Sequence, residues 1–338
     1  MNEKKPNILC IGVLDTKGDE IKFLAQECRR FGANAQIMEL SLGGEVGWAD
    51  VSLSEVLAED NIKKEDVFKA SRTEAIEIVG KAGAKKITKL YQEGKVDGVI
   101  SWAGSVGTTV STMAMRALPI GVPKFMLSTT AASDVSSWLG SKDIYITNPI
   151  SEKGVNKVTR KIVANAVSGL VAMAKVGELP ETEVKPLAAA TAYGTTTPAV
   201  TRCLKYMEKR GFDTITIHQV GTGATMEDLI RSKMISAVYD LTIGELSNNY
   251  FGSIYGIDKD WEGERLTAAS DMGIPQIVCP GGLGQCAYGP VDSMPQKIMD
   301  EFKDGTRVSY QNSGKPYIHN SAVTINLTNS GRDRNICQ

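Results

Sequence analysis

The chain has 338 residues, 42% apolar and 23% charged, with a formal net charge of −1. That balance excludes a disordered chain and gives no global electrostatic basis for binding nucleic acid or an anionic membrane. No apolar run approaches the ~20 residues of a membrane-spanning helix. The N-terminal MNEKKPN leads straight into strand-like sequence without a signal-peptide core. Six scattered cysteines and only two histidines, His218 and His319, point to reduced thiols in a cytoplasmic protein with no metal site.

In chain order, short β-like runs alternate with helical patterns. NILCIGVL precedes a helix near 18–31, NAQIMEL follows, and VDGVISWA precedes TTVSTMAMRAL. KFMLST comes next, and DIYIT leads to a long helix around 154–175. This grammar predicts βαβ units and a parallel sheet covered by helices. GELPETEVKP, 177–186, breaks it with two prolines and a run of charges, and reads as a linker. The second half repeats the pattern through PLAAATAYG, FDTITIHQV, SAVYDLT and PQIVCPGG. The expectation is an α/β protein of two domains, 1–176 and 187–338, with a cleft between them. Ligands in such sheets sit at the carboxyl ends of strands, which singles out the loops there.

The first such loop is Asp15-Thr16-Lys17-Gly18. Asp15 or Thr16 either caps the next helix or, with Lys17 as the neutralising charge, helps its free N–H groups bind an anion. The loop after VDGVISWA carries Gly104, Ser105, Gly107, Thr108 and Thr109; it is neither GxxxxGK[ST] nor GxGxxG. It reads as a tight turn or as a phosphate-compatible loop of small residues. LSTTAASDVSS adds hydroxyls at Ser128, Thr129, Thr130 and Ser133, and Arg72 stands ahead of a helix as a solvated side chain or a further anion contact.

In the second half, AYGTTTPAV predicts Thr197 as N-cap with Pro198 in the first helical position, leaving Thr195 and Thr196 at a positively polarised helix end. HQVGTGATMEDL places His218 at a strand end with Gly221 and Gly223 in the turn. These five positions, Thr195, Thr196, Thr197, Gly221 and Gly223, are candidates for a second anion site. His218 is either structural or a general acid/base, with Glu227, Asp240 or Glu245 as carboxylate partner.

Taken in order, the segments GVLDTKGDE, SWAGSVGTT, MRALPIGVPKFMLSTTAAS, TAYGTTTPAV, HQVGTGATMEDLI, YDLTIGELSNNYFG, GIPQIVCPGG and HNSAVT resemble the ATP-binding family of the tomato mosaic virus resistance protein. LPIGVPK, 118–124, is especially characteristic. The resemblance covers about 7 to 328 and implies two Rossmann-like domains, with ATP held by strand-end loops of the first; a lysine, an arginine and polarised amides there suit a triphosphate carrying magnesium. Position by position, it implies nucleotide contacts from Asp15, Thr16 and Lys17, from Ser105, Val106 and Gly107, and from Thr129, Thr130, Ala131 and Ala132. It adds Arg72, and Gln36 at the end of the second strand. It also implies a homodimer. Departures are Val106 in place of a family glycine, GLGQCAYG without the family's aspartate and asparagine, no arginine after the HN of HNSAVT, and a chain end at Gln338 short of other members. Three functions follow as expectations: a nucleotide-binding protein with a second small-molecule or regulatory site, a cleft enzyme (hydrolase, lyase or ATP-dependent transferase) using His218, or a protein-interaction and inhibitor module.

Overall fold

In a computed structural model of the chain, the described residues are 5–176, 185–253, 255–257, 261, 263–288, 296 and 323–326. HNSAVT, except its last two residues, lies outside them. The chain divides into two units, 1–180 and 181–338.

The first unit runs β1 (Asn7–Gly12), α1 (Leu14–Arg30), β2 (Asn34–Glu39), α2 (Leu53–Leu57), α3 (Lys64–Lys69), α4 (Arg72–Gln92), β3 (Gly98–Ala103) and α5 (Ser105–Arg116). It continues through β4 (Lys124–Ser128), α6 (Ser136–Leu139), β5 (Ile144–Thr147) and α7 (Lys157–Val176). All five strands pair in parallel in the order β2-β1-β3-β4-β5. Every residue of β3 is buried, the pattern of a strand covered on both faces. Alternation along β1 and β3 explains how. Ile8, Cys10, Ile100 and Trp102 join one core with residues of α1 and α7, while Leu9, Ile11, Val99 and Ala103 join the other with residues of α2, α4 and α5. The chain leaves β1 toward β2 on one side and returns to β3 on the other, so adjacent strand ends diverge between β1 and β3. That divergence opens a crevice at the carboxyl edge.

The second unit runs β6 (Leu187–Ala192), α8 (Thr197–Glu208), β7 (Asp213–His218), α9 (Gly223–Arg231), β8 (Ala237–Thr242), α10 (Gly244–Tyr250), α11 (Ala268–Met272) and β9 (Gln276–Gly281). These strands are parallel in the order β7-β6-β8-β9, so the same divergence recurs between β6 and β8. A short antiparallel pair, β10 (Gln285–Tyr288) with β11 (Val323–Asn326), was not foreshadowed by the alternating pattern. Among the described residues no helix is long and apolar enough to cross a membrane.

Two helix starts differ from the sequence reading. In α1 the helix proper follows a kink at Lys17 (φ −126°, ψ 24°), close to the expected start near 18, but a further turn from Leu14 precedes it, and neither Asp15 nor Thr16 caps it. Its first N–H groups, of Leu14 and Asp15, donate instead to the Ser41 hydroxyl at 3.1 and 3.2 Å, a cap supplied from after β2. Ser41 is fixed in turn by the Glu39 carboxylate at 2.7 Å. In α8 the N-cap is Thr196, so Thr197 and Pro198 each sit one place further in. A 3-10 turn, Gly194–Thr196, precedes the helix and shifts its start.

Candidate functional site

At the β1/β3 divergence lies a cavity of about 510 Å³. Its walls come from the turn after β1 (Val13, Asp15, Thr16, Lys17), from Leu42 and Gly43, from the α3–α4 junction (Ala70, Arg72, Ala75), from Ala103 to Gly107, and from Glu152. Three separate candidate segments of the sequence, Asp15–Lys17, Arg72 and Ser105–Gly107, therefore converge on one space.

The chemistry of that space is anisotropic. α5 starts at Gly104 with no side-chain cap and no acidic residue in its first turn. The N–H groups of Ser105, Val106 and Gly107 have no acceptor among the described residues. Such a helix end carries roughly half a positive charge. α4 differs, because its Ser71–Glu74 capping box occupies its own end. Arg72, the first residue of α4, is exposed and its guanidinium has no partner among the described residues. Gly107 is a glycine for packing: a Cβ there would lie 2.6 Å from Ala103 Cβ. Val106 is half-buried on the cavity wall.

Lys17 is not the free cation expected. It is 7% exposed, its ammonium donates to the Glu152 carbonyl, and Glu20 Oε1 lies 3.6 Å away. Glu20 also accepts the Gly154 N–H at 2.8 Å. Lys17 thus ties the turn after β1 to the loop after β5. Thr16 spends its hydroxyl on the Val13 carbonyl, and Asp15 accepts the Gly43 N–H at 2.8 Å. Thr129 is held beside the cavity by its N–H bond to Ala103 O, and Thr130 hydrogen-bonds Ser128; with Ala131 and Ala132 they form the turn after β4, next to the lining but not in it. Gln36 stands apart. It is the third residue of β2, not its end, paired with Leu9, and lines a different pocket with Asn7, Asn34 and Lys95. The lysine of LPIGVPK is structural as well: Lys124, fully buried, donates to the Pro119 and Val122 carbonyls and to Asp143. Burial pulls its pKa down and Asp143 partly restores it.

In the second unit the three carboxylates proposed as partners of His218 are buried around a residue the sequence reading missed. Arg265 contacts Glu227 at 2.5 Å and Asp240 at 2.6 Å, and its Nε donates to Glu245. Glu227 also accepts the Leu266 and Ala268 N–H groups, and Asp240 accepts from Gln276. Burial opposes the guanidinium charge, yet Asp240 and Glu245 hold its pKa above the ordinary value. For Glu245 burial outweighs Arg265 and pushes its carboxyl up. None of the three is hydrogen-bonded to His218, so a histidine–carboxylate dyad is replaced by a structural ion cluster. Gly223 likewise serves Glu245: its N–H donates to that carboxylate at 3.0 Å, and a Cβ would fall on it. Neither Gly221 nor Gly223 lines the nearby cavity, and Thr196 and Thr197 are spent on Thr242 and the Tyr193 carbonyl. Of the five second-site positions only Thr195 remains on its wall. Arg265, in ERLT, carries no local signature; a buried arginine is identified only by its three-dimensional partners.

Residues 6–178 match the N-terminal domain, and 185–338 the C-terminal domain, of the Uncharacterised protein family UPF0261. A UPF0261 protein of Clostridium tetani is 36% identical over 338 residues, covering 97% of this chain and 77% of that protein. The ToMV susceptible protein tm-1(GCR26) and the ToMV resistance protein Tm-1(GCR237) of Solanum lycopersicum are each 28% identical over 355 residues, and the match spans 97% of this chain but only 45% of each tomato protein. The chain belongs to the UPF0261 family.

Proposed function

We propose that this UPF0261 protein is a nucleotide-binding protein that takes ATP with magnesium in the β1/β3 cavity. One observation carries the reading: the unspent N–H groups of Ser105 to Gly107 and the unpartnered Arg72 open on the same space. Oriented amides at a helix start bind phosphate, and a guanidinium adds a bidentate, charge-assisted contact. The donor set suits magnesium too. Asp15 and Glu152 line the cavity, and this ion takes one or two carboxylates together with substrate phosphates. Leu42, Ala70 and Ala75 supply an apolar wall for a base. In this reading Lys17 is a positioning residue, holding the β1 turn against Glu152.

Thermal unfolding with and without magnesium and ATP tests it. Ligand at ~100 times its dissociation constant adds about 2.7 kcal/mol, which at this size is a rise of several degrees in Tm. Adenosine alone should give less. No rise with ATP, or an equal rise with adenosine, contradicts phosphate recognition.

A further inference from the structure

The β6/β8 divergence holds a second cavity, of about 250 Å³, whose chemistry is unlike the first. Tyr193, Thr195, His218, Asn248, Tyr255 and Gln285 supply its polar walls. Among the described lining residues there is no carboxylate, lysine or arginine. The charges of this region, Glu227, Asp240, Glu245 and Arg265, are buried and paired with one another. A charged ligand here would lose hydration without meeting a carboxylate, lysine or arginine among the described lining residues.

The hydrogen-bonding groups left over are mainly donors. Asn248 is spent: its two amide N–H groups go to the Gly244 and Gln285 carbonyls at 2.7 and 3.0 Å, and its oxygen accepts from the Ser253 hydroxyl. The Tyr193 hydroxyl, 3.4 Å from the Asn248 nitrogen, has no acceptor for its own O–H among the described residues, which leaves it as a donor. Burial, then Glu245, raises the phenol's pKa well above the ordinary value, so it keeps its proton. Gln285 uses its carbonyl to accept the Thr195 hydroxyl at 3.3 Å, which leaves its amide N–H groups. The exposed His218 ring meets the Tyr193 ring edge to face at 6.3 Å. The tyrosine rings and Val220 add flat apolar surface.

We propose that this cavity is a binding site for an uncharged, hydroxyl-rich ring of monosaccharide size. Its C–H face would lie against the tyrosine rings, and its oxygens would accept from Tyr193 and Gln285. Such a pocket needs only a few placed polar groups on apolar walls. The inference does not depend on ATP binding in the first unit.

The chain's two histidines allow a direct test. Protein labelled with ¹⁵N-histidine gives two imidazole spin systems, and loss of one in His218→Asn assigns it. Millimolar D-glucose and myo-inositol are titrated against lactate, choline and inorganic phosphate as charged comparators. The expected result is a saturable shift of the His218 signal with at least one neutral probe and none with the charged ones. Gln285→Ala and Tyr193→Phe should each weaken it about tenfold, the loss of one hydrogen bond of ~1.4 kcal/mol, while the far-ultraviolet spectrum stays unchanged. A shift with the charged probes instead, or none with either neutral probe, overturns the proposal. So does a shift that survives both variants.

Discussion

Single residues in this chain are defined by what their polar atoms are spent on. Cys286, buried in β10, has its thiol pushed up to about 11, chiefly by burial and against a weaker effect of Ser247. It is therefore a thiol at neutral pH and should react more slowly than the half-exposed Cys203 and Cys279. Timed alkylation with peptide mapping checks this, and equal rates would contradict it. Glu39 behaves differently. Burial raises its pKa against the hydrogen bonds from Ser41 and Val46, so folding favours the protonated form. The stability it contributes is complete below the unfolded carboxylate range and is lost as pH rises through the raised folded value. Glu39→Gln cannot ionise, so its Tm relative to the unaltered protein should be more favourable at neutral pH than near pH 4. A pH-independent difference would show that Glu39 titrates normally.

Among elements, α5 decides how the first cavity is built. Its start is pressed so closely on β3 that Gly107→Ala should cost about 1–3 kcal/mol by overpacking. Urea unfolding measures this, and no change would mean that the contact relaxes freely. The alternating β and α grammar was legible because each of these strands is a short apolar run ending in a glycine- or hydroxyl-rich loop. Strand ends such as His218 and Ala103 fall where that pattern stops. Helix starts were less legible. The cap of α1 comes from Ser41, 27 residues distant, and no local pattern encodes a cap donated across a sheet edge. For the same reason Lys17 reads in sequence as a phosphate ligand, although its partner, the Glu152 carbonyl, is 135 residues away. Ser105 and Arg72 are legible as candidates because a run of small residues after an apolar strand and an arginine at a helix start can both be read from neighbouring residues, and both line the first cavity.

At the scale of the molecule, one construction occurs twice. Each unit is a parallel sheet with a cavity where the chain reverses direction, but the two cavities differ in charge. The first brings an arginine and free amides to its rim, while the described lining of the second holds none of the charged residues of its unit's buried ion cluster. Family membership is common to both halves, and on the two proposals above it is these side chains that divide the ligands between them. The measurement that tests this most directly is calorimetric titration of ATP with magnesium into the protein, Arg72→Ala and His218→Ala. The expected outcome is one site per chain, weakened roughly 10–100-fold in Arg72→Ala by loss of a charge-assisted contact and unchanged in His218→Ala. Binding that ignores Arg72, or that is lost with His218, would contradict the assignment of nucleotide to the first unit.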